Sequence, residues 1–406
     1  MALKNNTNLF QINENYSSHY KIKFNSLNFI STYIIVLFWL TAFAPLVLAV
    51  IANLFSNETS YIVKVTIQIT YITILFLIYY LLPKNNKKIF IYLFLASIFI
   101  SLFQITRDGL NIETFLHLLH GIKVYFVPLF YFFLVYYLLK NNNDFVLKFE
   151  KNIHYLFFFT LIVSVFELLS SNFFPNILFN YLISISPVIP VEAYGRPNGL
   201  LLESHSAAFV LSIASLFYFI KGRQVLSILF MSVVILSAIK TWSVGYNFAL
   251  LLYAIYNYKN IVVFKNYIIL LFSQIVVLYI FSTVLKTYVY HMNPNISSGT
   301  RTMLDLYTSF DSYQLLSISP NGFFFGNTIL NDVYSLFILY QFGIVLGLFY
   351  FLILFKKFTL NNRFWPIVIF AMFAIIHTFP LNFLFIMMIF SYFLHYPYFK
   401  KGNACH

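Results

Sequence analysis

The chain has 406 residues, 61% of them hydrophobic and only 9% charged, with 52 Phe and 32 Tyr. That balance excludes a soluble globule, and a single cysteine, Cys405, excludes an intrachain disulfide and a thiolate metal site. The net charge of +13 raises nucleic acid as a partner, but the placement of the cations along the chain answers differently.

Residues 1–28 are polar and carry Lys4, Lys21 and Lys23, with no short apolar core ahead of a cleavage site; they read as a cytoplasmic tail. Apolar runs then recur, close to the length that crosses a hydrocarbon core of about 30 Å as helix. They do not alternate apolar and polar residues as barrel strands would. The expected fold is therefore all-α, a single polytopic membrane domain over 1–406 with about twelve transmembrane helices. The spans are placed at 30–54, 65–82, 89–106, 121–139, 153–171, 204–220, 224–240, 245–257, 266–286, 332–355, 364–379 and 382–397. The stretch at 398–406 is expected in the cytoplasm.

The connections test this order. With the N-terminus inside, only Lys64, Arg107, Lys123, Arg196, Lys240, Lys286 and Arg301 fall outside, and the other 18 of the 25 Lys and Arg fall inside. This is the positive-inside bias of a helical membrane protein, so the positive charge is a topology signal and not a nucleic-acid patch. Most carboxylates go the other way; Glu14, Asp144 and Glu150 are the inner ones. The inner connections are short, rich in Lys and Asn, and read as plain turns. Two outer connections are long, 172–203 and 287–331, and hold several Pro and Gly residues that shape turns. Any chemistry is expected on that face.

Along the chain there is no nucleotide-cradling Gly-rich loop, no HExxH and no DxD pair. Work done outside must then draw on the substrate or on an ion gradient. Arg196 and Arg301, one in each long loop, offer planar forks of donors suited to phosphate oxygens, and together could grip a diphosphate; each could equally pair with an outer carboxylate or a lipid headgroup. Glu203 and His205 stand where the chain re-enters the membrane. Each could serve as a base with a shifted pKa; equally, Glu203 could be part of a helix cap and His205 a packed side chain. Asp332, opening the tenth span after Asn331, could be a cap, a partner for Arg301 or a base. Glu167 is expected to face the bundle interior. His117 and His120 have helical metal-ligand spacing but lack a third ligand, and fit an interfacial segment. Gly343-Ile344-Val345-Leu346-Gly347 reads as a small-residue pattern for close helix approach.

Arg196-x-x-Gly199 followed by Glu203-Ser204-His205 resembles the first-loop motif of the O-antigen polymerases (Wzy) and their relatives, the O-antigen ligases. Gly299-Thr300-Arg301 is similar to the start of that group's second large loop, Ser319-Pro320-Asn321-Gly322 through Gly326-Asn327 to its Gly-rich exit, and Asn331-Asp332 to its return into the membrane. Ligases carry His-Asn where this chain has Asn331-Asp332, a departure that leans toward polymerase and leaves the base unassigned.

The resemblance implies a metal-independent, cofactor-free glycosyltransferase at the periplasmic face of a bacterial inner membrane. Its donor would be a glycan on undecaprenyl diphosphate and its acceptor a lipid-linked repeat unit. Arg196, Asn198, Gly199, Arg301 and Asn331 would bind substrate. Arg196 and Arg301 would also serve catalysis, and Glu203, His205 or Asp332, in that order, would take the acceptor proton. Membrane lipid, a chain-length regulator and a flippase of the same pathway are the implied partners, and nucleic acid is not. The alternatives are a ligase acting on lipid A–core and, from another class, a flippase for lipid-linked sugars.

Overall fold

A computed structural model describes residues 27–44, 47–48, 51, 55, 57–81, 84–109, 111–173, 204–236, 240–284, 320, 334–377 and 384–396. Among them the regular structure is entirely helical, without a strand. In chain order the helices are α1 Leu27–Ala44, α2 Asn57–Leu81, α3 Lys84–Asp108, α4 Ile112–Gly121, a π-helical turn Ile122–Phe126, α5 Val127–Asn141 and α6 Asn143–Phe173. There follow α7 Ser204–Ile220, α8 Gln224–Leu236, α9 Lys240–Tyr256, α10 Ile261–Val284, α11 Tyr334–Phe355, α12 Trp365–His377 and α13 Leu384–His395. Each of the twelve expected spans overlaps one of these helices; α4 is the additional one, in the segment expected at the interface.

Among the described residues five stretches are long and apolar enough to cross a membrane: 27–44, 90–107, 143–166, 261–280 and 338–355. Their burial shows what solvent they are made for. In the stretch of α10 only 11% of the residues are buried within the protein, and Ile261, Val262, Phe272 and Ile275 stand outward. On α3, Tyr92, Phe94, Leu95 and Leu102 do the same. Continuous apolar faces of this extent are expected of a surface solvated by lipid. At the other extreme every residue of α13 is buried, as is α7 from Ser206 to Ile220. The central layer is α5, α7, α12 and α13, and α3 and α10 form the periphery.

Lipid gives no hydrophobic drive for helices to associate, so close packing and interhelical hydrogen bonds hold such a bundle. Gly245 of α9 supplies the closest approach: a Cβ there would stand 2.2 Å from Cδ1 of Phe373 on α12. Ser391 Oγ of α13 donates to the Phe132 carbonyl of α5 at 2.7 Å, and Trp39 Nε1 of α1 donates to Asn152 Oδ1 of α6 at 2.6 Å. Ser215, Ser227 and Tyr246 join α7, α8 and α9, with Ser215 Oγ 2.8 Å from Tyr246 Oη and donating to the Ser227 carbonyl at 2.7 Å. Asn247 and Gln274 exchange amide hydrogen bonds of 3.0 and 3.1 Å between α9 and α10.

The Asn residues of the short connections have a mechanical role. Asn142 Oδ1 accepts from Phe145 N at 3.1 Å at the start of α6, and Asn260 Oδ1 accepts from Val262 N at 3.1 Å at the start of α10. Asn362 Oδ1 accepts from Phe364 N at 2.9 Å, while its amide donates to the Phe393 and Leu394 carbonyls at the end of α13. These groups are the orphan donors and acceptors that helix ends leave behind.

Two helices depart from regularity where they meet. The π-turn precedes Pro128, which has no N–H for the carbonyl one turn back and crowds it; widening the turn relieves the crowding. Gly343 interrupts α11 with φ 71° and ψ 164°. Tyr125 and Phe126 of the π-turn lie on Phe342, with ring centroids 5.1 and 5.9 Å apart. This changes the reading of the Gly343–Gly347 pattern. Gly343 supplies a left-handed backbone position, and a Cβ on Gly347 would meet Leu339 of its own helix, 3.2 Å from its Cα. Gly343 bends the helix sharply, and Gly347 approaches Leu339 of that same helix.

Candidate functional site

Of the residues expected to bind substrate or perform chemistry, Arg196, Asn198, Gly199, Glu203, Arg301, Asn331 and Asp332 lie outside the described residues. His205 falls in the first turn of α7, where only its backbone is described. The elements that carry the two long connections, expected outside, are in place: α6 ends at Phe173 and α7 begins at Ser204, while α10 ends at Val284 and α11 begins at Tyr334. α6 packs against α7, so the first connection leaves and returns on neighbouring helices. α7 and α11 both pack on α12, and Phe209 of α7 stacks on Phe370 of α12 with centroids 5.4 Å apart. The helices entered from both long connections thus share one neighbour.

The most concentrated ionisable cluster among the described residues stands elsewhere, at the end of the bundle formed by the expected inner turns. Glu150 of α6 is its centre. One carboxylate oxygen, Oε1, is paired with Lys221 Nζ at the end of α7, and the other accepts from Tyr392 Oη of α13 at 2.7 Å. His154, one turn further along α6, places Nε2 3.7 Å from Glu150 Oε1 and Nδ1 2.7 Å from Tyr218 Oη. The Lys221 ammonium also lies 4.3 Å from the centre of the Phe217 ring.

Backbone geometry fixes the lysine. After Ile220 the chain turns through Gly222 at φ 74°, with Gly222 N bonded to the Phe219 carbonyl at 2.9 Å and Arg223 N to the Tyr218 carbonyl at 2.8 Å. This is a Schellman ending, which needs a residue tolerant of positive φ at that position. Arg363, from the connection between α11 and α12, donates Nη2 to the Ile220 carbonyl at 3.1 Å and takes another of the free carbonyls of α7.

Chemically the cluster can hold α6, α7 and α13 in one arrangement, because three donors on separate helices converge on one carboxylate. It cannot serve a reaction at the far end of α6, where the first long connection begins. Glu150 and the end of α6 at Phe173 are separated by about 35 Å at 1.5 Å per residue. No group of three or more His, Cys, Asp or Glu capable of holding a metal forms among the described residues; the His117 side chain of α4 is one of these, and the side chain of His120 lies outside them.

Sequence reasoning missed Glu150. Its signal was the Glu150-x-x-x-His154 spacing on one helical face, but the partners Lys221 and Tyr392 are distant in sequence and only the fold joins them. Comparison with protein-family models, curated proteins and solved structures returned no match.

Proposed function

We propose that this chain is a surface-polysaccharide polymerase of twelve membrane spans, working at the periplasmic face of a bacterial inner membrane. It would transfer a growing glycan from undecaprenyl diphosphate onto an incoming lipid-linked repeat unit. The observation that carries the reading is the order of sequence features: Arg196-x-x-Gly199 and Glu203-Ser204-His205 before one helix, Gly299-Thr300-Arg301 in the second long connection, and Asn331-Asp332 before another. Three things support it. The chain is helical and apolar, most of its cations fall in the short connections and not in the segments that carry these motifs, and α7 and α11, which follow the motifs, both pack on α12.

In this reading Arg196 and Arg301 hold the diphosphate of the donor. A hydroxyl of the acceptor sugar attacks the anomeric carbon, the bond from that carbon to the phosphate oxygen breaks, and undecaprenyl diphosphate leaves with the electron pair. The guanidinium groups neutralise charge as it builds on the leaving oxygen. Glu203, His205 or Asp332 accepts the hydroxyl proton. The leaving group is already activated outside the membrane, so no nucleotide is consumed there.

The test is deletion of the gene followed by gel analysis of the lipopolysaccharide. Loss of polymerase leaves lipid A–core carrying a single repeat unit and no ladder. Bare core alone is the result expected of a ligase or flippase, and it would refute this assignment.

A further inference from the structure

The inner ends of α7, α9 and α12 meet at a seam whose cations outnumber its carboxylates. Lys221 is held by Glu150, whose second oxygen is occupied by Tyr392. Arg223 is exposed, and its guanidinium lies within electrostatic reach of the Tyr218 hydroxyl. Arg363 is exposed too, and spends one donor on the Ile220 carbonyl at 3.1 Å, which sets it beside the Lys221–Arg223 turn. The Arg363 guanidinium also lies within electrostatic reach of the hydroxyls of Tyr253 and Tyr396.

Aromatic side chains frame the seam. Trp365 packs against Tyr253 and Tyr256 with centroids 6.1 and 5.6 Å apart, and Tyr396 packs on Phe364 at 4.6 Å. Such rings favour the headgroup level of a bilayer. Beyond Arg223 on α8, Val225 and Leu229 are exposed and give an apolar surface along which acyl chains can lie.

We propose that this seam is a binding site for the phosphodiester headgroup of an anionic phospholipid, gripped by Arg223 and Arg363 and bordered by Tyr253 and Tyr396. Planar guanidinium forks match phosphate oxygens in pairs. Basic pockets between helices near the membrane surface are suited to anionic headgroups. The aromatic frame and the exposed apolar face of α8 select a lipid over a free anion. A bound headgroup bridges the α7–α8 turn and the α11–α12 connection, and so braces the end of the bundle that Glu150 also staples. The inference rests on the membrane reading of the chain and does not depend on the polymerase assignment.

The experiment uses the full-length protein in neutral detergent, titrated with phosphatidylglycerol or phosphatidylcholine, with bound lipid counted by native mass spectrometry. The protein retains phosphatidylglycerol preferentially. Arg223→Gln and Arg363→Gln each reduce that preference about fivefold, and the double variant about 25-fold. Lys265→Gln, a change on the exposed face of α10, leaves it intact. Equal retention of the two lipids by the unaltered protein overturns the proposal, as does undiminished preference in the double variant. Should the double variant fail to fold, Arg223→Gln alone decides, since its exposed side chain makes no described hydrogen bond or salt bridge. Inorganic phosphate at millimolar concentration leaves phosphatidylglycerol bound; complete displacement would indicate a free-anion site and overturn the lipid assignment.

Discussion

Replacing Glu150 by Gln keeps the shape of the side chain and removes the charge toward which Lys221 and Tyr392 are turned. The magnitude follows from exposure. An ion pair fully in water is worth under about 1 kcal/mol, and removing one partner of a fully buried pair costs about 3–5 kcal/mol. Glu150 and Lys221 keep 22% and 23% of their side-chain surface accessible, between those limits and nearer the buried one. Adding the charge-assisted bond from Tyr392, we expect Glu150→Gln to destabilise the protein by about 2 kcal/mol. Lys221→Met should cost less, because the carboxylate it abandons keeps Tyr392. The double variant should be less destabilised than the sum of the two, leaving a coupling of about 1–2 kcal/mol. The assay is unfolding of purified protein in increasing denaturing detergent, followed by tryptophan fluorescence. Trp39 is a suitable reporter because it donates to Asn152 on the same helix as Glu150. A coupling within about 0.5 kcal/mol of zero would refute the view that this pair staples α6 to α7.

Gly245→Ala forces a Cβ to within 2.2 Å of the Phe373 ring, so α9 and α12 must part or the ring must swing; we expect a loss of about 1–3 kcal/mol in the same unfolding assay, with partial recovery in Gly245→Ala/Phe373→Leu. No loss in the single variant would show that these helices do not approach as described. Gly343→Ala places a Cβ on a residue at φ 71° and should cost about 1–2 kcal/mol, again read by unfolding, whereas an unchanged transition would argue for an unbroken α11.

Much of this architecture is legible in the sequence because lipid imposes a simple rule: each crossing needs a long apolar run, and runs announce themselves. α3, α10 and α11 follow directly from that rule. The breaks within runs are less visible. Pro128 marks the π-turn only two residues after it ends, and Gly343 looks like a packing glycine because composition alone cannot tell a left-handed φ from a close approach. The staple at Glu150 is illegible for another reason. Its three partners come from α6, α7 and α13, and no local spacing records their convergence. Asn142, Asn260 and Asn362 look like polar filler in short turns, and their capping role emerges only when the orphan N–H groups beside them are counted.

The central claim is that Arg196 and Arg301 act on one lipid-linked diphosphate outside the membrane. The most direct measurement incubates the purified protein in lipid vesicles with undecaprenyl-diphosphate-linked repeat units and resolves the products by length. A ladder of polymers should form with the unaltered chain and with Lys265→Ala, and vanish in Arg196→Ala and in Arg301→Ala. Ladders of normal length from both arginine variants would contradict it.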